Sequence, residues 1–223
     1  MINKKQIIKL TAEYIKRKTT GEATGHDWWH TYRVWKNAVL IGKHEKVDLF
    51  VVELSALLHD IADYKNNNGD DQIGPKSARI WLSKFGLDEK TISQVCGIVA
   101  ATYYDMNFKN NKLKDVLKSK EAEVVWDADK LDATGAMGVA RNFTYGGSIN
   151  REIYNPEIKP KKIYESFEQY KYYKGTTINH FYEKTLLLKD LMNTKTAKKI
   201  ANKRHEFIKN FLEEFFKEWQ GKI

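Results

Sequence analysis

Three prolines and one cysteine are all that this 223-residue chain contains of either residue. So few prolines leave long helices uninterrupted, because proline breaks a helix interior more severely than any other residue. A single cysteine, Cys96, excludes an internal disulfide framework. With Val95, Ile98 and Val99 around it, it reads as a buried thiol suited to a reducing compartment. No stretch approaches the roughly 20 apolar residues of a membrane span. Met1–Gln6 lead into an amphipathic pattern (Ile7, Ile8, Leu10, Tyr14, Ile15) rather than into the apolar block of a signal peptide. The expected location is the cytoplasm, with no membrane partner. Internal repeats, low-complexity segments and convincing strand patterns are missing as well. Histidine is scarce too: six residues, and none between Asp60 and Asp129.

What is present is ordinary for a globular protein: 42% hydrophobic and 30% charged residues. The formal charge is +9 at pH 7. The surplus is heavier towards the end, where residues 151–223 carry 16 Lys/Arg against 10 Asp/Glu. A basic surplus suits anionic ligands, although a lysine-rich solvated surface explains the composition equally well.

Hydrophobic periodicity and capping residues predict helices almost throughout. An amphipathic helix spans residues 3–18. Asp27 caps a second, in which Val34, Ala38 and Ile41 recur at helical spacing and which ends near Lys43-His44. Asp48 caps a third, running through Leu49, Val52, Leu54 and Leu57 to His59-Asp60. A fourth runs from about Gly74-Pro75 to Phe85, with Gly86 ending it, and Asp88 caps a fifth through Val99. The stretch from Tyr103 to Lys120 has weak periodicity and is left unassigned. A further helix carries Val124–Asp132, followed by small residues in Gly135–Arg141 that allow close helix packing. Residues 144–176 read as loop. Helices at about 178–192 and 194–219 close the chain, the last with Thr194 as its cap and a wide apolar stripe that reads as core. The expectation is one all-α domain over residues 1–223, with a core at about 22–142 and C-terminal helices at about 177–220.

Three clusters place metal-ligand residue types beside apolar helical surroundings: Asp27/His30/Arg33, His59/Asp60/Asp63 and Asp127/Asp129/Asp132. Residues three apart share a helix face. Any one cluster is weak, because a lone histidine on a half-apolar helix is more often structural. Three clusters on three helices are harder to explain that way, since buried carboxylates and imidazoles need a partner or a metal. Spacing alone does not choose among Asp127, Asp129 and Asp132.

Taken together, four segments resemble the HD-domain metal-dependent phosphohydrolase superfamily. They are His26-Asp27-Trp28-Trp29-His30-Thr31-Tyr32-Arg33-Val34, Leu57-Leu58-His59-Asp60-Ile61-Ala62-Asp63-Tyr64-Lys65, Asp127-Ala128-Asp129-Lys130-Leu131-Asp132-Ala133-Thr134-Gly135-Ala136 and, more weakly, Asn179-His180-Phe181-Tyr182-Glu183-Lys184. Within it they resemble the small bacterial YpgQ/YedJ-type branch of nucleotide pyrophosphohydrolases. The resemblance implies a helical HD-domain fold and metal ligands His30, His59, Asp60 and Asp129. It also implies a general acid/base at Asp63. Two imidazoles and two carboxylates suit Mn²⁺ best, with Ni²⁺, Co²⁺, Fe²⁺ and Mg²⁺ as alternatives. Two-metal HD phosphodiesterases need extra histidines between the HD pair and the distal aspartate. The lack of any here predicts one metal ion.

Cations for a phosphate chain are Arg33, one turn beyond His30, and Lys65, Lys130, Arg141 and Lys184, with His180 a further substrate contact. Lys76 and Arg79 read as solvent-facing. Trp28, Trp29 and Tyr64 are candidates to stack on a base, although aromatics at helix contacts are more often core. The resemblance implies hydrolysis of nucleoside or deoxynucleoside triphosphates to monophosphate and pyrophosphate. The alternatives are a 5′-nucleotidase acting on monophosphates and a non-catalytic nucleotide-sensing or nucleic-acid-binding module. An intact ligand set plus Asp63 disfavours the module, so the expected partner is a nucleotide substrate and not nucleic acid. The aromatic-rich last helix offers a homodimer surface.

Overall fold

Side-chain caps fix where most of the helices begin. The computed structural model describes residues 3–19, 27–62, 72–102, 117–161 and 175–222. Among these, regular structure is helical, with no strand. The helices are α1 (Lys4–Lys18), α2 (Trp28–Glu45), α3 (Leu49–Leu58), α4 (Ile73–Leu82), α5 (Glu89–Thr102), α6 (Lys120–Asp132), α7 (Gly135–Ser148), α8 (Thr177–Glu183) and α9 (Lys195–Trp219). Asn3, Asp27, Asp48, Thr176 and Thr194 each accept a hydrogen bond from a first-turn backbone N–H, at 2.8–3.2 Å. Asp88 does the same for Thr91 at 2.8 Å. Each cap satisfies a donor that has no partner inside the helix and contributes about 1 kcal/mol.

The chain divides into two compact units, one ending at Asp129 and one beginning at Lys130. In the first, α3 is the central element. Eight of its ten residues are buried, so it is apolar on every side. Helices α1, α2 and α5 all pack against it, and α4 packs on α5. Lys46 ends α2 in the left-handed conformation (φ 58°), which turns the chain back into α3. Two indole N–H groups lock neighbouring helices. Trp35 Nε1 donates to Glu53 Oε2 on α3 at 2.8 Å. Trp81 Nε1, on α4, donates to the buried Thr11 hydroxyl of α1 at 2.9 Å, and its ring stacks on Tyr14 at 4.0 Å.

The second unit is built on Ile178, Phe181, Ile208 and Leu212, with Phe143, Tyr154, Phe211, Phe215 and Phe216 packed around them. Helix α9 lies on α7, and α7 touches α8. The apolar stripe of α9 is core at Ile208 and Leu212, as expected, while Phe207 stays about half exposed.

Several boundaries depart from the sequence reading: α3 stops at Leu58, short of His59-Asp60, and α4 stops at Leu82, with a 3-10 turn over Ser83–Phe85. Residues 144–148, read as loop, complete α7. The glycines suggested a loop, but Gly146 is buried because the Thr177 side chain occupies the space where a Cβ would be. Tertiary packing outweighs the weak helix propensity of glycine there. The helix expected at 178–192 is a seven-residue α8 followed by a 3-10 segment, Thr185–Leu191, because Lys184 leaves helical geometry at φ −139°. The unassigned stretch after Tyr103 falls outside the described residues up to 116, as do Asp63, Tyr64 and Lys65. Cys96 is buried, as expected. Among the described residues, no helix is long and apolar enough to cross a membrane.

Candidate metal centre

Three helices of the first unit deliver one polar cluster into an apolar core. The Asp27 cap starts α2, so His30 falls in its first turn with its side chain fully buried. Helix α3 is apolar up to Leu58, and the chain then stays helical for one more residue, His59 (φ −56°, ψ −36°). Asp60 follows at the rim. The last turn of α6 brings Asp129. Asp27 caps α2 as expected: its Oδ1 takes the His30 backbone N–H at 2.8 Å.

The distances define a ligand cage. His30 Nε2 lies 3.2 Å from His59 Nε2, 3.4 Å from Asp60 Oδ2 and 3.5 Å from Asp129 Oδ1. His59 Nε2 lies 3.3 Å from Asp60 Oδ2 and 3.9 Å from Asp129 Oδ1. Metal bonds of about 2.0–2.2 Å put adjacent ligand atoms roughly 3 Å apart around an octahedron and about 3.4 Å apart around a tetrahedron. His30, His59 and Asp60 therefore form a cluster able to hold a metal ion, and the Asp129 carboxylate reaches the same point.

The protonation pattern supports this use. A backbone carbonyl can only accept, so the 2.8 Å contact from His59 Nδ1 to the Ala56 oxygen places a proton on Nδ1. In the neutral ring, Nε2 then carries its lone pair towards the cluster, the arrangement of a metal-ligating imidazole oriented by a second hydrogen bond. Burial alone would lower the His59 pKa. The charge and hydrogen bond of Asp60, the charge of Asp129 and the Ala56 carbonyl outweigh it and lift it from 6.5 to about 9. The cluster thus draws positive charge to Nε2, where a divalent ion would replace the proton.

The three aspartates of α6, open on spacing, separate by geometry. Asp129 faces the imidazoles. Asp132 is buried and pairs with Arg141 Nη1 at 2.8 Å, and Asp127 is fully buried. The residue types gave no sign of the Ala56 carbonyl or of Arg204, which donates to the Leu131 carbonyl at 2.6 Å. One is a main-chain atom, and the other is brought to the end of α6 only by tertiary packing. Gly135 fits this contact: it sits at φ 66°, and a Cβ there would meet the Arg204 side chain at 2.9 Å.

The matches to known proteins follow the same pattern. The HD domain family matches residues 28–134, the span holding His30, His59, Asp60 and Asp129. Bacillus subtilis YpgQ is 35% identical over 216 residues, 93% of this chain and 91% of that protein. The chain belongs to the HD superfamily. The solved HD-superfamily hydrolase from Bacillus thuringiensis is 37% identical, covers 99% of this chain and 100% of its own, and superposes with a TM-score of 0.77. The crystal structure of B. subtilis YpgQ in complex with ADP covers 95% and 97% of the two chains, with 30% identity and a TM-score of 0.73. This HD-superfamily protein is accordingly a metal-dependent phosphohydrolase with an all-helical fold.

The expected substrate contacts are distributed as follows. Arg33 is half-buried on α2, in the first unit, and Lys130 opens the second. Arg141 is held by Asp132. His180 and Lys184 stand one turn apart at and just beyond α8. The His180 imidazole is pushed down to about 3, chiefly by burial and then by the charges of Lys184 and Arg151. It is neutral in the folded protein and protonates near 6.5 once unfolded. Its stabilising contribution is complete above pH 6.5 and is lost as the pH falls towards 3. Urea denaturation across that window should show His180→Gln with a shallower loss of stability than the parent, by up to about 1.4 kcal/mol per pH unit. Parallel curves would show that His180 does not cause the acid sensitivity.

Proposed function

We propose that this HD-superfamily enzyme hydrolyses nucleoside or deoxynucleoside triphosphates to the monophosphate and pyrophosphate, using one divalent ion, Mn²⁺ foremost, held by His30, His59, Asp60 and Asp129. The observation that carries the reading is the convergence of two imidazole nitrogens and two carboxylate oxygens at one point. The nucleotide class is supported by the relative YpgQ, whose crystal structure contains ADP. Nitrogen-rich ligation favours Mn²⁺ over Mg²⁺.

A divalent ion held there would supply polarisation of a phosphoryl oxygen and a lowered pKa for a water. The protein's own groups do the rest. The Ala56 carbonyl keeps His59 in the tautomer that presents Nε2. Asp63, three residues beyond Asp60 in sequence, accepts the proton of the attacking water and returns it to the leaving oxygen. Arg33 supplies a guanidinium to the phosphate chain one turn from His30, and Lys65, Lys130, Arg141, His180 and Lys184 are proposed as further substrate contacts.

Product analysis tests the proposal. Incubation with a nucleoside triphosphate and Mn²⁺ should release pyrophosphate and monophosphate in equal amounts. Orthophosphate released from a monophosphate, with triphosphates untouched, would identify a 5′-nucleotidase instead.

A further inference from the structure

We propose that Arg204 is a positioning residue of the metal centre: its guanidinium clamps the end of α6 and so holds Asp129 in its ligating position. The inference rests on Asp129 being a ligand, as in the function proposed above.

The sequence marks Arg204 by where it falls. The buried residues of α9 are Ala197, Ala201, Ile208 and Leu212. Their helical spacing leaves a gap in the stripe between Ala201 and Ile208, and Arg204 fills it. An aliphatic residue there would extend the apolar face. Arginine instead carries a charge into a packing surface, where its desolvation opposes folding. Burial pulls its pKa down, against the nearby charge of Asp132. Gly135, at the start of α7, makes room for the stem: a Cβ there would lie 2.9 Å from Arg204 Cγ.

The guanidinium meets a carbonyl that helix geometry leaves open. The last four carbonyls of an α-helix lack an intrahelical donor, and Leu131, next to last in α6, is one of them. Its oxygen accepts the Thr134 backbone N–H at 3.0 Å, the Thr134 hydroxyl at 2.7 Å and Arg204 Nη1 at 2.6 Å. The Thr134 contacts are local to the turn. The Arg204 contact ties the same carbonyl to a residue 73 positions further on. It is charge-assisted, hence short and strong. It also sets a cation at the negative end of the α6 dipole.

Asp129 lies in that last turn, two residues before Leu131. Helix ends fray, while ligand distances are fixed to about 0.2 Å. A frayed turn would carry Asp129 Oδ1 away from the imidazoles, which it now faces at 3.5 and 3.9 Å. Leu131, Gly135 and Arg204 all belong to the second unit, and Asp129 is the last residue of the first. Helix α6 is continuous through both residues, so Arg204 acts on the metal site through its backbone.

The test is the Ni²⁺ affinity of the full, metal-stripped chain, read by competition with a chromophoric chelator. Ni²⁺ binds nitrogen and oxygen ligands more tightly than Mn²⁺, which keeps weakened sites measurable. Arg204→Met keeps an aliphatic stem against Gly135 and removes the cation. It should weaken Ni²⁺ binding by about 10–100-fold, the usual loss when a group that orients a ligand is removed. Asp129→Ala should weaken it as well, and the double variant should match Asp129→Ala alone within about twofold. That non-additivity separates positioning from a general loss of stability, which would lower affinity in both backgrounds alike. Gly135→Ala, whose Cβ displaces the Arg204 stem, gives the same reading where Arg204→Met does not fold. Parent-like affinity in the Arg204→Met chain, or a loss that multiplies with that of Asp129→Ala, would overturn the proposal. Parent-like affinity in Asp129→Ala would remove Asp129 from the ligand set, and the positioning role with it. No nucleotide enters the measurement, so the hydrolytic reading is tested separately.

Discussion

Asp60→Ala is expected to remove both bound metal and turnover, whereas Asp63→Ala keeps the metal and loses turnover alone. Asp60 Oδ2 stands within 3.4 Å of both imidazole Nε2 atoms. Alanine there takes away a charged ligand and leaves His30 and His59 facing each other at 3.2 Å. Two imidazoles and one remaining carboxylate bind a divalent ion far more weakly, so metal analysis after gel filtration should find less than a tenth of the parent's content. Activity should fall to background. Asp63 is assigned a proton-transfer role, and removing a general acid or base costs about 10²–10⁴-fold in rate. Its alanine variant should therefore combine a full metal complement with a rate lower by that factor. Equal metal loss in both variants would make Asp63 a ligand or a structural residue and would remove the proton-transfer assignment.

The contrast between these two aspartates shows where sequence is informative. Helix caps depend on one residue and its nearest neighbours, so Asp27, Asp48 and Thr194 could be read directly, and with them the starts of α2, α3 and α9. The apolar run before His59 announced a buried helix, because nothing else accommodates Leu54, Leu57 and Leu58 so close together. The cluster was legible as residue types but not as geometry. Nothing in the spacing distinguishes Asp129 from Asp132, three residues later on the same helix. Only the fold shows Asp129 facing two imidazoles and Asp132 facing a guanidinium. Where a contact depends on a distant partner, the local signal misleads: Gly146 reads as a turn until Thr177 is packed against it. The Ala56 carbonyl that sets the His59 tautomer has no residue-type signature at all.

Asp132→Leu should cost stability without costing metal. The Asp132 side chain is only 2% exposed and lies 2.8 Å from Arg141 Nη1, whose own side chain is 23% exposed. Arg204, on α9, also feels the Asp132 charge. Removing the carboxylate leaves these two guanidinium groups without that compensation in a largely desolvated place. Breaking a buried pair by deleting one partner costs about 3–5 kcal/mol, and the partial exposure of Arg141 reduces this to roughly 2–4 kcal/mol. For a chain of this length the melting temperature should drop by about 4–16 °C. Adding Arg141→Met should recover part of the loss, since an apolar pair of similar volume often substitutes for a buried ion pair at little net cost. Metal content per folded protein should match the parent in both variants, because Asp132 is engaged by cations of the protein itself. A variant that melted normally but lost its metal would instead place Asp132 among the ligands and displace Asp129 from that role.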